Sequence, residues 1–252
     1  MRIIGKTTNI NFIGQRRLAV SASVVLVFAS IFALFQYGLS FGIDFTGGVL
    51  IEVGYPQEAD LSVIRSQLEN DGFDDAIVQH FGTARDVMIR LMPVEGMDGN
   101  AIRKQILSIL RADGADIELR RVEFVGPQVG KELAETGALA LLVAMIMILV
   151  YVALRFQWKF ALGAVAALIH DVVLTLGFFA ALRLDFDLSV LAAILAVIGY
   201  SLNDTIVVFD RIRENFLTMR RGEPADIINL SINQMLARTL ITGLTTLVVL
   251  LA

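Results

Sequence analysis

Ionisable side chains set inside apolar stretches are the residues of this chain best placed to do chemistry, and the chemistry they suit is the carriage of protons. Residues 188–209 form a run long and apolar enough for one bilayer crossing, yet it contains Asn203 and Asp204, with Arg211 and Arg213 just beyond it. An ionised group at mid-bilayer costs at least about 2.5–3.5 kcal/mol, so Asp204 is expected to face other helices or water rather than lipid. Ala192, Ala196, Gly199 and Asn203 recur at helical spacings of three or four and give that helix a face for close packing. The alternative is that Asn203 and Asp204 only bridge neighbouring helices. Arg238 falls at a comparable depth in a later apolar run and is the expected counter-ion, since a pair at about 4 Å contributes about 4 kcal/mol at an effective dielectric of 20. Against that stands an arginine that snorkels to the headgroups as an anchor. His170 and Asp171 lie near the middle of another apolar run. Neighbours on a helix point about 100° apart, so the two are expected to seek partners elsewhere, or to be neutral packing residues, rather than pair with each other.

The elements that position these groups follow from composition. A chain of 252 residues that is 56% hydrophobic and only 18% charged, with long apolar runs, is a membrane protein. The net charge of −4 is segregated along the chain and indicates no nucleic-acid surface. Without cysteine there is no disulfide and no thiolate metal site, and two histidines are too few for a metal cluster, so no metal or other cofactor is expected. Walker A, HExxH and GxSxG patterns are absent, which argues against an enzyme.

In chain order, a basic segment with Arg2, Lys6, Arg16 and Arg17 leads into an apolar run over 18–37. The run exceeds a signal-peptide core of about 7–15 residues and lacks a small-residue cleavage pattern, so it reads as an uncleaved first span closing a segment 1–37. Residues 38–132 have the composition of a soluble domain. The periods predict a strand over 45–53, a helix capped by Asp60 with Leu61, Ile64 and Leu68 on one face, and a hairpin of 76–81 and 87–91 around Gly82-Thr83. A second helix is predicted over 99–110, with Ile102, Ile106, Leu107 and Leu110 inward, and a last strand over 117–125. The order βαββαβ is ferredoxin-like. Gly126-Pro127-Gln128-Val129-Gly130 then punctuates the chain and ends the domain.

Residues 133–252 return to the membrane, with spans expected over 133–154, 160–182 and 188–209 and a fifth from about 236. The fifth is still apolar at Ala252, short of the ~20 residues a crossing needs, so it is expected to be truncated there. Between the fourth and fifth spans, 211–236 reads as an amphipathic helix starting at Pro224, lying on the membrane, docking on a partner or merely connecting. Positive charge falls at the N-terminus, at Arg155 and Lys159, and at Arg211, Arg213, Arg220, Arg221 and Arg238, whereas the link 183–187 has one arginine against two aspartates. The N-terminus is therefore expected in the cytoplasm and the soluble domain outside, in the periplasm, with Trp158 at an interface.

Four stretches in this order resemble the SecD/SecF family of protein-export membrane subunits, within the RND superfamily: Gly42-Ile43-Asp44-Phe45-Thr46-Gly47-Gly48, Val125-Gly126-Pro127-Gln128-Val129-Gly130, His170-Asp171-Val172, and the run from Gly199 to Asn215. Arg238-Thr239-Leu240-Ile241-Thr242 adds a fifth. The first two are shared across the family; the single small outer domain and the RIREN ending at Asn215 favour its SecF branch. The resemblance implies an RND-type helix bundle with a small α+β domain in the bacterial inner membrane, working with SecD beside the SecYEG channel, and with YajC and YidC, on exported unfolded polypeptide. It implies coupling of the proton-motive force to export, with protons as the coupling ion and Asp204, Arg238 and Asn203 in the proton pathway. Half of an RND drug pump is the rival reading, disfavoured because such pumps carry larger outer domains; a purely structural assembly factor is another.

Overall fold

The computed structural model describes residues 8–92, 99–112, 116–155, 158–219 and 222–251. In chain order its elements are α1 (Arg16–Tyr37), β1 (Ser40–Phe41), α2 (Ile43–Thr46), β2 (Gly48–Gly54), α3 (Leu61–Asn70), β3 (Ile77–Phe81), β4 (Thr83–Leu91), α4 (Gly99–Arg111), β5 (Glu118–Val125), α5 (Pro127–Arg155), α6 (Trp158–Leu182), β6 (Asp185–Phe186), α7 (Leu188–Thr218) and α8 (Pro224–Leu251). They fall into two compact units. A sheet unit comprises Ser40–Leu141 with Asp185–Leu191, and a helical unit comprises the remainder.

In the sheet unit four antiparallel strands lie in the order β3-β4-β2-β5. Alternation along β2 sends Val49, Ile51 and Val53 to the core, where each is fully buried against Ile64 and Leu68 of α3 and Ile102, Ile106 and Leu110 of α4. α3 starts where the Asp60 carboxylate accepts the Ser62 N–H at 2.9 Å, an N-cap that satisfies a donor the helix leaves unpaired.

The strand expected over 45–53 begins later, because Ile43–Thr46 forms the single helical turn α2. Gly47 and Gly48 have φ of 72° and 126°, and a Cβ on Gly48 would lie 2.2 Å from the Leu91 carbonyl oxygen. The glycine pair thus supplies a sharp turn and a close backbone approach at the point where β2 begins. Residues 126–130, expected to close a domain, lead into α5, with Pro127 at its first position, where the missing N–H has no partner to lose.

A second, parallel pairing joins β1 to β6, Ser40 opposite Asp185 and Phe41 opposite Phe186. Asp185 holds this clasp: it accepts from Arg90 at 3.0 Å and from Ser40 and Gln79 at 3.2 Å, while Arg90 also donates to the Phe41 carbonyl at 2.9 Å. Within the same unit Asp44 accepts the Leu188 N–H at 2.9 Å and Asp187 the Val190 N–H at 2.8 Å, so two carboxylates cap the first turn of α7.

In the helical unit α1 runs along α6, where Gly177 lets the helices touch; a Cβ there would lie 2.2 Å from the Ser30 Cβ. Ala161 and Ala164 pack against Val152 of α5, and Phe160 meets Phe209 of α7 at 4.8 Å between ring centroids. Arg155 pairs with Asp210 at 3.2 Å. α8 is one continuous helix, where an amphipathic segment and a separate span were expected; its polar first half is packed rather than free. There Asn229 and Asn233 grip the extended segment before α1, with Asn233 both accepting from the Ile10 N–H and donating to the Ile10 carbonyl at 2.8 Å. Asn215 of α7 donates to Ser231 at 2.8 Å and Gln234 at 3.0 Å, fixing α8 against α7.

Candidate functional site

α7 is a 31-residue helix whose middle carries Ser201, Asn203 and Asp204. The Asp204 carboxylate accepts from the Thr242 hydroxyl of α8, at 2.9 Å to Oδ1 and 3.2 Å to Oδ2. That hydroxyl also lies 3.1 Å from the Arg238 carbonyl and 3.0 Å from that of Thr239. A threonine has one proton to give. Ionised Asp204 attracts it; a protonated Asp204 becomes the donor and releases the hydroxyl to its own helix. The protonation state of the acid is thereby written into the hydrogen bonding between α7 and α8.

An open cavity of about 510 Å³ adjoins this pair, lined by Tyr200, Ser201, Asn203 and Asp204 from α7 and Thr242 and Thr246 from α8. Its wall is mostly apolar, so the hydroxyls and the carboxylate are its only strong hydrogen-bonding groups among those six besides the Asn203 amide. Asn203 lines the cavity with its side chain exposed.

The expected Arg238–Asp204 ion pair is not formed: among the described residues Arg238 makes no salt bridge, and its side chain is exposed. Thr242, one turn further along α8, takes the position next to the acid. The short hydroxyl fits between the helices at the acid, whereas the long arginine side chain is left exposed. His170 and Asp171, expected to look elsewhere for partners, do pair, with Nδ1 3.1 Å from Oδ1. Their Cα–Cβ bonds diverge around the helix, but the imidazole is long enough to bend back to its neighbour's carboxylate. The pair is also tied outward. His170 Nε2 lies 2.6 Å from Ser23 Oγ of α1, and Asp171 Oδ2 accepts from Ser201 Oγ of α7 at 2.6 Å.

Three partners were missed in the sequence: Thr242, Ser201 and Ser23. Ser201 stands three residues before Asp204 and so on nearly the same helix face, a spacing that could have flagged it. Ser23 and Thr242 carry no such signal, because isolated hydroxyls in apolar helices commonly bond to their own backbone.

Four helices of the described residues, α1, α5, α6 and α7, are long and apolar enough to cross a membrane, and a carboxylate lies hydrogen-bonded inside one of them; this is the architecture of a polytopic membrane protein. Residues 105–252 match the family of the protein export membrane protein SecD/SecF C-terminal region, and residues 32–57 match the SecD/SecF GG motif. The protein translocase subunit SecF of Vibrio alginolyticus is 52% identical over 252 residues, covering 100% of this chain and 80% of that protein. That of Pseudomonas aeruginosa is 48% identical over 248 residues, 98% of this chain and 80% of the relative. The chain belongs to the SecD/SecF family. In structure it is similar to SecDF, a translocon-associated membrane protein from Thermus thermophilus, with a TM-score of 0.86 at 35% identity over 98% of this chain. A SecDF crystallised in a super-membrane-facing form gives 0.66 at 35% identity over 95% of this chain. The chain spans about a third, 33%, of each of those SecDF chains.

Proposed function

We propose that this chain is the SecF-type subunit of a Sec protein-export assembly, without catalytic activity of its own, and that with a SecD partner beside the SecYEG channel it couples the proton-motive force to the movement of exported polypeptide. The observation that carries the reading is the bond between Asp204 and Thr242 beside the cavity. An acid at that depth of an apolar helix is costly unless it is used, and here its ionisation decides whether a single hydroxyl proton goes to the carboxylate or to a backbone carbonyl of α8. Asn203 belongs to the proton entry because it lines the same cavity. Arg238, one turn before Thr242, is the cation that answers ionised Asp204 in another state of the cycle; in the present one it is turned outward.

The segregation of positive charge supports a cytoplasmic N-terminus and a periplasmic sheet unit, and the order of that unit's strands and helices supports reading it as ferredoxin-like. The first turn of α7 groups with the sheet unit and the remainder with the bundle, which supports α7 as the element through which protonation is felt outside the membrane. YajC and YidC are further partners of the same reading. The test uses full-length protein assembled with its SecD partner in membrane vesicles, where preprotein export after ATP-driven initiation is measured with and without a proton gradient. Asp204→Asn, which keeps size and a hydrogen bond but cannot titrate, is expected to remove the whole gradient-dependent increment at near-normal membrane level. Full retention of the increment would leave Asp204 as a bridge between α7 and α8 and nothing more.

A further inference from the structure

The hydrogen bonds around His170 join three helices of the helical unit in one row: Ser23 of α1, His170 and Asp171 of α6, and Ser201 of α7, with contacts of 2.6, 3.1 and 2.6 Å. The row ends on the cavity that Asp204 also lines, since Ser201 contributes to its wall. We propose that these four residues are a second protonatable relay, in series with Asp204, whose station is the His170–Asp171 pair. The proposal rests on the reading of Asp204 as a proton carrier and extends it to residues that reading does not use.

The chemistry of the row suits transfer rather than mere packing. A hydroxyl can give one proton as it takes another, so a proton reaching Ser201 from the cavity places one on Asp171 and leaves the serine unchanged. With the ring in its Nε2–H tautomer, the protonated carboxyl turns to bring its proton from the Ser201 side to Nδ1, which takes it and forms an imidazolium held by the carboxylate. Loss of the Nε2 proton to Ser23, as that hydroxyl gives up its own, returns the ring to neutral, and rotation of the ring restores the starting tautomer. One proton enters at the cavity and one leaves beside α1. A structural pair needs only one side of the carboxylate or the ring engaged; here both carboxylate oxygens and both ring nitrogens are used, each on a different neighbour.

The titratable groups on the surrounding elements are few. α1 has only Arg16 and Arg17 at its start and Tyr37 at its end; the part of α5 within this unit has Tyr151 and Arg155; α6 itself has Lys159 near its start. α7 brings Tyr200 and Asp204 on either side of Ser201, with Asp210, Arg211, Arg213 and Glu214 toward its end, and α8 brings Asp226 at its start and Arg238. Of these, only Tyr200 and Asp204 line the cavity on which the row ends.

The full-length protein with its SecD partner is reconstituted in liposomes, and gradient-driven proton entry is followed by an internal pH-sensitive dye between about pH 5.5 and 8.5. His170→Gln keeps hydrogen-bonding groups toward both neighbours but takes no charge; it is expected to lower entry by at least about tenfold and to flatten its pH profile. Ser201→Ala is expected to do the same, and Ser201→Thr, which restores the hydroxyl, to recover the native rate; this rescue separates transfer from packing. If Asp204→Asn abolishes entry while His170→Gln and Ser201→Ala retain native rate and profile, the relay is wrong and the Asp204 reading stands. If Asp204→Asn retains entry, or the native assembly admits no protons, the Asp204 reading fails and the relay with it.

Discussion

The two units handle polar groups in opposite ways. In the sheet unit the core cluster is purely apolar, with Val49, Ile51, Val53, Leu68, Ile89 and Ile106 all at 0% exposure, and its ion pairs lie outside that cluster: Arg120 with Asp86, Arg121 with Glu52 and Glu123, Arg90 with Asp185. In the helical unit the apolar side chains of α1 and α5 are widely exposed, as helices facing lipid must be, and the hydrogen-bonded polar groups lie in the middle of the helices. Water can satisfy a polar group at the edge of a soluble sheet, so its loss costs only the local bond. In a bilayer there is no such substitute, and a polar group kept there has to be used or matched. Substitutions in the sheet unit should accordingly move stability, and substitutions at the helix centres should move proton traffic.

The largest effect expected on the sheet side comes from its core. Ile106→Ala leaves a cavity between α4 and the sheet and should destabilise that unit by about 2–5 kcal/mol, read as earlier amide exchange in β2 and β4 of the full-length protein. Proton entry at temperatures where the unit remains folded should be native. A loss of proton entry equal to that of Asp204→Asn, with the sheet still protected, would break the division between the units.

Much of this architecture is legible in the sequence for the same physical reasons. Period-two and period-3.6 patterns mark β3, β4, α3 and α4 to within a few residues because one face of each is buried, and long apolar runs mark α1, α5, α6 and α7 because lipid demands them. What is not legible depends on contacts between distant residues. The parallel pairing of β1 with β6 joins stretches about 145 positions apart, each too short to show a period. Phe45 and Thr46, the second half of the turn at Ile43–Thr46, read as β-prone because their side chains are, while Gly47 and Gly48 set the geometry there. The site is half legible. Asp204 and His170-Asp171 stand out because charge in an apolar run is conspicuous; Thr242, Ser23 and Ser201 do not, since which hydroxyl faces which acid is fixed only by helix rotation. Charge and depth point to Arg238 as the partner of Asp204, but neither says where a long side chain ends.

The clasp on Asp185 is intermediate between the two units in character. Its groups are charged and largely shielded, with side-chain exposures of 11% for Arg90 and 26% for Asp185, yet they belong to the sheet unit. Arg90→Met should cost about 1.5–3 kcal/mol, the range for hydrogen bonds to charged groups, and should appear as faster exchange of the Gly42 amide that donates to the Phe186 carbonyl. If the clasp is purely structural, the pH profile of proton entry stays native. A displaced profile would mean that a sheet-unit ion pair takes part in proton coupling, against the division drawn here.

The smallest effect is expected at Asp60, where a sheet-unit carboxylate does nothing but cap a helix. The hydroxyl of Ser62 donates to it at 2.5 Å and the Ser62 N–H at 2.9 Å, and these bonds, the side-chain one foremost, hold its carboxyl below the ordinary value of 3.8. Since the folded value is depressed, the ionised cap contributes stability that is present above the unfolded value and lost as pH falls through the folded one. The window therefore lies in acid, below about pH 4. Asp60→Asn keeps a capping oxygen but has no proton to take up, so it should remove this part of the acid sensitivity while leaving stability at neutral pH nearly unchanged. Asp60→Ala should instead fray the first turn of α3 at every pH. Exchange at the Ser62 and Val63 amides, followed from pH 7 to pH 3, distinguishes the two. Equal acid sensitivity in the native protein and Asp60→Asn would show that the carboxylate's charge adds nothing to its role as a cap.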